Sequence, residues 1–193
     1  MKLTVRPLTP DRWPDLETVF NGAGCAVARG CWCMYFRHAE PKPYGEVTSK
    51  EHAAAAKRDL KKLVDKGPPP GLLAYRGDEP VGWVTLAPRE RFARLERSTV
   101  MKAVDEQPVW SIVCFVVPRP HRGQGVATAL LAGAVKYARQ QGATLLEAYP
   151  VDKPDRSHDD HLWFGAKAMY DKAGFTEVAR RRPQRPVVRI KPG

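Results

Sequence analysis

The first part of the chain alternates between strand-like and helix-like patterns. Residues 3–9 (LTVRPLT) alternate apolar and polar positions, which predicts a β-strand. Residues 10–21 repeat apolar positions at intervals of three or four, which predicts a helix. Residues 22–47 show no clear period and are rich in glycine, proline and aromatic side chains. We expect a long ordered loop there with one helical turn, and long loops in compact domains are often functional.

A second helix and a hairpin follow. Residues 48–67 predict a helix, because Thr48 and Glu51 have the spacing of a capping box and three prolines stand directly after the segment. Residues 71–88 contain two apolar runs separated by RGDEP, which is typical of a β-hairpin. Residues 90–98 (ERFARLERS) are predicted to form a short helix.

The second half predicts a strand, a helix and a further strand in succession. Residues 109–117 (VWSIVCFVV) are almost wholly apolar, as in a strand buried on both faces. Residues 126–141 place small and aliphatic side chains on one side of a helix, and Gly142 ends it. This order indicates a mixed α/β fold. The remaining predicted elements are a strand at 144–150, a helix at 162–174, and closing strands at 175–180 and 186–190.

Composition places the chain among ordinary globular proteins. Its 193 residues are 43% hydrophobic and 27% charged, and no apolar run has the length of a signal peptide or a membrane-spanning helix. We therefore expect a cytoplasmic protein that has no contact with a membrane. The formal net charge of +11 would attract a nucleic acid, a membrane surface or a phosphorylated cofactor. The densest basic run, at residues 179–190, is more typical of a solvated edge strand.

The cysteines are Cys25, Cys31, Cys33 and Cys114, too few for the disulfide framework of a small secreted domain, so we expect free thiols. Cys25, Cys31 and Cys33 could bind zinc together with His38. The Cys-x-Cys spacing, however, is tighter than that of common zinc turns, and no second pair exists. We therefore predict no metal site.

The junction at residues 119–131 (RPHRGQGVATALL) carries the main chemical signal. A helix that begins near Val126 leaves its first amide N–H groups unpaired, and its dipole places partial positive charge at that end. Gly123 and Gly125 have no Cβ, so a bulky anion can approach their backbone. Two arginines in the same stretch add full charge. These residues predict a phosphate-binding site.

Two common kinds of phosphate site fit this junction poorly. A nucleoside-triphosphate loop ends in Gly-Lys-Ser or Gly-Lys-Thr, whereas residues 125–127 are Gly-Val-Ala. A dinucleotide site would use the same glycines, with Glu147 in the place of a ribose-binding acid. Its third glycine is replaced by Thr128, and five residues separate the strand from the first glycine, where that fold makes a tight turn.

A third kind of site fits the whole stretch. Residues 117–127 (VPRPHRGQGVA) have the pattern Val-x4-Arg-x2-Gly-x-Ala and resemble the acetyl-CoA signature of the GNAT superfamily of N-acetyltransferases. Residues 169–175 (MYDKAGF) resemble the family's late helix and the turn that follows it. The resemblance implies a central, twisted, mostly antiparallel sheet that is splayed between two parallel strands and flanked by helices. It also implies a single domain over residues 1–193, with an acetyl-CoA-binding core at 109–178 and an acceptor-side loop and helix at 21–70.

The resemblance implies that acetyl-CoA is the acetyl donor and that main-chain groups bind it. Backbone of Phe115, Val116 and Val117 would hold the pantetheine arm and the thioester between the parallel strands. A peptide N–H facing the thioester oxygen would stabilise the oxyanion of the tetrahedral intermediate. The pyrophosphate would be bound by N–H groups of Arg122, Gly123, Gln124, Gly125, Val126 and Ala127.

The resemblance also assigns catalytic roles. Tyr170 matches the tyrosine that the family often uses as the general acid for the leaving thiolate, and an ordinary tyrosine is protonated at neutral pH. Many members carry a basic glutamate on the central strand, whereas residues 109–117 contain no acidic residue and Ser111 is their only hydroxyl. Glu147 on the neighbouring strand is the first candidate base, directly or through water. Further candidates are Asp105, Glu106 and His121.

The acceptor would be a primary amine of a small molecule or a protein, bound by residues 21–50 and by the front hairpin. Aromatic residues there are as consistent with the core as with a pocket. They are Trp32, Tyr35, Phe36, Tyr44 and Trp83. The nearest approach to an acidic cluster for a polycationic acceptor is a set of loop residues, Asp155, Asp159 and Asp160.

These features favour an acetyl-CoA-dependent N-acetyltransferase that transfers the acetyl group directly in a ternary complex. A relay through Cys114 is less favoured, because a thiol inside a buried strand is usually inert. A non-catalytic acyl-CoA-binding or sensing module is compatible with the missing strand glutamate. A nucleic-acid-binding protein would use the positive charge, but nucleic acid ranks last as a partner because no base-reading motif is present. The sequence does not determine the oligomeric state, and a homodimer is one candidate.

Overall fold

The computed structural model describes residues 2–39, 49–153 and 163–193, and the strands in this part of the chain form one seven-stranded sheet. They are β1 (Leu3–Pro7), β2 (Gly71–Arg76), β3 (Glu79–Pro88), β4 (Trp110–Val116), β5 (Leu146–Ala148), β6 (Thr176–Arg182) and β7 (Arg185–Ile190). The sheet order is β1-β2-β3-β4-β5-β7-β6. Only β4 and β5 are parallel neighbours; every other adjacent pair is antiparallel. The predicted mixed α/β class with two parallel central strands is confirmed.

Helices cover both faces of the sheet. The α-helices of the described residues are α1 (Trp13–Asn21), α2 (Ala26–Cys31), α3 (Ser49–Lys66), α4 (Val126–Gln140) and α5 (Lys167–Lys172). One face packs against α4, whose Leu130 and Ala134 share an apolar cluster with Ile112 of β4. The other face packs against α1, α2 and α3 around the buried ring of Trp83. None of the helices in the described ranges combines the length and apolar character required to cross a bilayer.

Two predicted helices differ in detail, and one predicted cap is not tested. The helix predicted at 162–174 is shorter, because Gly165 has a left-handed φ of +79° and Ala166 is extended and bridges to Val151 before α5 begins. The helix predicted at 90–98 is instead a pair of 3-10 turns on either side of Phe92. The capping box predicted before α3 involves Thr48, which lies outside the described residues.

Strands β4 and β5 are paired over a short stretch only. They pair only from Trp110↔Leu146 to Ile112↔Ala148. On its other side, β4 contains a bulge: Ile112 pairs with Leu86 and Cys114 with Thr85, so Val113 has no opposite residue on β3. A bulge bends its strand and increases its twist, and because β5 ends at Ala148, the carboxyl end of β4 has no ladder partner on that side beyond Ile112. The result is a gap between two parallel strands.

Candidate active site

A cleft of about 1770 Å³ lies over the gap between β4 and β5. It runs from the first turn of α4, along the end of β4, to the connection between β3 and β4. Cys114, Phe115, Val116 and Val117 form its floor, and the segment 163–166 forms the opposite wall. The cleft therefore joins the predicted phosphate-binding junction to the predicted acceptor side.

The first turn of α4 presents its backbone to this cleft. Gly125 stands at the N-cap with a left-handed φ of +78°, and no side chain caps the helix. Gly123 is also left-handed, with a φ of +70°, and a Cβ built on either glycine meets no atom within 4 Å. Val126 and Ala127 line the cleft as well. The amide groups of this turn are thus an uncapped positive helix end facing open space, which suits an anion.

Arg122 lines the cleft, but its guanidinium also has a structural task. Its Nε donates to the carbonyl of Val117 at 3.0 Å, and one terminal nitrogen donates to the carbonyl of Gly24 at 2.9 Å. The arginine therefore fixes the loop between β4 and α4 against the turn between α1 and α2. Gln124 is exposed, and its side-chain amide donates to the carbonyl of Pro120 at 2.6 Å rather than lining the cleft.

The backbone of β4 meets the wall segment at one point. The N–H of Phe115 donates to the carbonyl of Trp163 at 2.6 Å. This N–H is one of the main-chain groups that the family resemblance assigns to the thioester. In the structure, a carbonyl oxygen therefore lies where the resemblance places an oxygen of the donor.

Tyr170 lies directly behind the same wall. Its side chain is fully buried, and its hydroxyl donates to the carbonyl of Phe164 at 2.8 Å. The hydroxyl is 3.6 Å from the position that a Cβ on Gly165 would occupy, and Gly165 itself lines the cleft. Burial raises the pKa of Tyr170 well above its usual value, so the phenol stays protonated at neutral pH.

Glu147 does not lie where the base hypothesis requires it. Its side chain is fully buried and is not part of the lining of the cleft. One oxygen accepts from Arg89 at 3.1 Å and from the Tyr149 hydroxyl at 2.7 Å, and the other accepts from Arg189 at 2.8 Å. Both carboxylate oxygens are therefore engaged within a buried ion network. Ser111 joins this network through Tyr149, with 2.9 Å between the two hydroxyl oxygens.

The other candidate bases are also dispersed. Asp105 accepts two hydrogen bonds from Arg189, at 2.6 and 3.1 Å, and these bonds lower the pKa of Asp105. Asp105 and Glu106 lie outside the cleft, whereas His121 lines it near the phosphate-binding end. Among the described residues that line the cleft, none is acidic.

The aromatic residues predicted for the acceptor side separate into two groups. Tyr35 and Phe36 line the cleft. Trp32 and Trp83 belong to the core beneath α1, where the ring of Trp32 stacks on Phe20 with 4.9 Å between centroids, so of the two alternatives they take the core. Tyr44, Asp155, Asp159 and Asp160 lie outside the described residues.

Sequence reasoning missed the contribution of the β3–β4 connection. Arg94, Arg97, Ser98 and Met101 line the end of the cleft that is predicted to receive the acceptor, and the guanidinium carbon of Arg94 lies 4.2 Å from the centroid of the Tyr35 ring. These residues carry no motif, so only the path of the chain over the sheet brings them to the site. A cation–π contact of this kind holds the two elements of the acceptor end together.

The sequence and the fold both resemble those of known acetyltransferases. A model of the acetyltransferase (GNAT) family matches residues 32–175, whereas curated protein sequences give no match. A GNAT-family protein from Desulfovibrio desulfuricans has a similar fold, with a TM-score of 0.54, 17% identity and complete coverage of both chains. A Drosophila melanogaster polyamine N-acetyltransferase that forms N-acetylagmatine gives a TM-score of 0.56 at 14% identity, over 98% of this chain and 100% of that chain. The structure of the NatC complex bound to Gag peptide and CoA gives 0.54 at 11% identity, over 99% of each chain. The split sheet, the signature before α4 and the family match over most of the chain together show that this protein belongs to the acetyltransferase (GNAT) family.

Proposed function

We propose that this protein is an acetyl-CoA-dependent N-acetyltransferase that transfers the acetyl group directly to a primary amine in a ternary complex. The observation that carries the proposal is one continuous cleft that links the uncapped start of α4 with the gap between β4 and β5. The first feature suits a diphosphate and the second suits a narrow chain that forms hydrogen bonds with strand backbone. The CoA bound in the NatC structure, which has a similar fold, supports the same donor.

The phosphate end of the cleft would hold the donor through backbone. N–H groups from Arg122 to Ala127 would bind the diphosphate, since left-handed Gly123 and Gly125 leave space beside them. Arg122 would contribute mainly by fixing the loop, because its guanidinium already donates to two carbonyl groups. The backbone of Phe115, Val116 and Val117 would hold the pantetheine arm along β4.

The reaction centre would lie where Phe115 meets the wall segment. The Phe115 N–H would stabilise the oxyanion that forms when the amine attacks, after the Trp163 carbonyl has given up this hydrogen bond. As the carbon–sulfur bond breaks, the thiolate would take the proton of the Tyr170 hydroxyl. This hydroxyl is buried behind the wall and outside the lining of the cleft, so the segment 163–166 would have to move aside for the transfer. The Tyr170 hydroxyl donates to the carbonyl of Phe164, and the Phe115 N–H donates to the carbonyl of Trp163. Both hydrogen-bond donors therefore contact the same short segment.

Loss of a proton from the amine is the step without an assigned protein group. The acceptor must attack as a neutral amine, and the described lining of the cleft contains no carboxylate. We infer that water removes this proton, which makes turnover depend on the fraction of acceptor that is uncharged in solution. The buried ion network around Glu147 would then serve stability and not proton transfer.

One observation favours a second candidate, a non-catalytic acyl-CoA sensor. It is the same lack of an acidic side chain in the described lining. Release of CoA thiol from acetyl-CoA, measured against polyamines, amino acids and peptides with a free N-terminus or lysine, separates the two. Saturable acceleration by one class of amine supports the enzyme; CoA binding with no acceleration by any of them supports the sensor. Location in the cytoplasm and assembly as a homodimer remain predictions.

A further inference from the structure

All the cysteines of the chain lie at the cleft. Cys25, Cys31, Cys33 and Cys114 line it, and all of them are free thiols. Within the described ranges, no three histidine, cysteine or acidic side chains are grouped to hold a metal ion. The proposed acetyl transfer also assigns no role to any thiol. A concentration of unused thiols beside a reaction centre calls for a chemical explanation.

An unusual turn carries Cys33 to the strand. After α2 ends at Cys31, Trp32 and Cys33 both adopt left-handed backbone, with φ values of 45° and 52°. Such conformations are unfavourable for residues other than glycine, and they persist where surrounding structure enforces them. The Trp32 ring is held by stacking on Phe20. The turn therefore fixes Cys33, which is only 5% exposed, in one position.

That position is against Cys114 of β4. Cys114 packs against the apolar cluster that contains Cys33, and it directly follows the bulge residue Val113. The interaction with the Cys114 thiol, together with burial, raises the pKa of Cys33. The two thiols come from elements far apart in sequence, and both line the cleft, where Cys114 directly precedes Phe115.

We propose that Cys33 and Cys114 are an oxidisable pair and that their disulfide closes the cleft to CoA. With a peroxide as oxidant, the sulfur of one thiolate attacks a peroxide oxygen, which gives a sulfenic acid and water. The sulfur of the second cysteine then displaces water from the sulfenic sulfur. In total, two thiols and one peroxide give one disulfide and two waters, so two electrons pass from sulfur to oxygen.

Geometry links the disulfide to closure. A disulfide brings its sulfurs to about 2 Å, well inside the contact distance of two thiols, and so draws the α2 turn toward β4. Phe115, Val116 and Val117, which follow Cys114 directly, are the residues proposed to hold the pantetheine arm. This consequence rests on the proposed function, whereas formation of the disulfide does not. Because thiolate is the reactive form, the raised pKa of Cys33 predicts slow oxidation that needs sustained peroxide.

Peptide mapping of the full chain after treatment with hydrogen peroxide tests the bond itself. The expected product is a crosslink between the peptides that contain Cys33 and Cys114, reversed by dithiothreitol. The variants Cys33→Ser and Cys114→Ala should each lose it, and two separate variants guard against misfolding of one of them. Cys31→Ser is the matched control, because it removes a neighbouring thiol in the cleft and should retain the crosslink. A crosslink through Cys31 or Cys25 instead, or none, overturns the proposal.

CoA titration of the reduced and oxidised protein tests closure. The expected result is a loss of CoA affinity of at least about tenfold on oxidation, about 1.4 kcal/mol, recovered with dithiothreitol. Cys33→Ser should keep its affinity through the same treatment. If reduced protein binds CoA and the crosslinked protein binds it equally well, the inference fails while the proposed function stands. If reduced protein does not bind CoA, the proposed function fails and closure with it.

Discussion

The glycine at the start of α4 offers the sharpest single perturbation. Gly125 and Gly142 flank the two ends of the same helix, with left-handed φ values of +78° and +80°. A Cβ at either position meets no atom within 4 Å. The variants Gly125→Glu and Gly142→Glu therefore introduce the same side chain under the same backbone strain and with the same free space. They differ in which end of the helix receives the carboxylate.

The expected effects differ between stability and binding. Each variant should lose about 1–2 kcal/mol of unfolding free energy, the cost of a left-handed residue other than glycine. The loss should be slightly larger for Gly142→Glu, because a negative charge is unfavourable at the C-terminal end of a helix. For CoA, a carboxylate at roughly 6 Å from a bound diphosphate charge, at an effective dielectric constant of about 20, costs about 3 kcal/mol. That corresponds to about 100-fold weaker binding in Gly125→Glu and to no change in Gly142→Glu.

Isothermal titration of CoA into the two variants measures this difference, and urea unfolding shows that both remain folded. The weaker binding of Gly125→Glu should be partly relieved at high salt, because exposed charges are screened. Variants with alanine at the same positions separate strain from charge, since they should resemble each other in stability and differ less in affinity. Equal CoA affinity in the two glutamate variants would refute the assignment of this helix end to the diphosphate.

Three further variants test the other roles. Tyr170→Phe should lower acetyl transfer by about 100-fold with unchanged CoA affinity, as expected for a general acid; unchanged turnover in a steady-state assay would remove that role. Glu147→Gln should lose about 3–5 kcal/mol in urea unfolding, because Arg89 and Arg189 keep buried charge without a carboxylate; a stable variant that fails only in turnover would restore it as a base. The pKa of Asp105 is lowered on folding, so its contribution is present at neutral pH and is lost as pH falls through that lowered pKa. Asp105→Asn should therefore show a shallower loss of unfolding free energy below about pH 3.9 than the unchanged protein, and an identical pH profile would contradict this.

The sequence predicted the part of the site that consists of main-chain groups. A nearly continuous apolar run predicted β4, and the glycines before Val126 predicted a helix start open to an anion. Both follow from local rules, since strand burial and helix ends depend on a few consecutive residues. The uncapped helix and the cleft beside it agree with that local reasoning.

The sequence could not predict what side chains do across the sheet. Glu147 lies on the same strand in either interpretation. Only the long-range pairing of β5 with β7, which places Arg189 opposite it, and the return of the chain after β3, which supplies Arg89, bring it between two arginines. Trp32 and Trp83 are similar cases, because an aromatic residue in a loop or strand gives no signal of which face it occupies. Long-range packing decides these roles, and single-sequence periodicity does not contain it.

Backbone NMR of the reduced, nitrogen-labelled protein during titration with CoA tests the central claim most directly. The account predicts saturable shifts at the amides of Gly123, Gly125, Val126 and Ala127, together with Phe115 as its hydrogen bond to Trp163 is replaced. The amide signals around Gly142, at the far end of the same helix, should keep their chemical shifts. Shifts that leave the first turn of α4 and Phe115 unchanged, or no saturable shifts at all, would contradict the account.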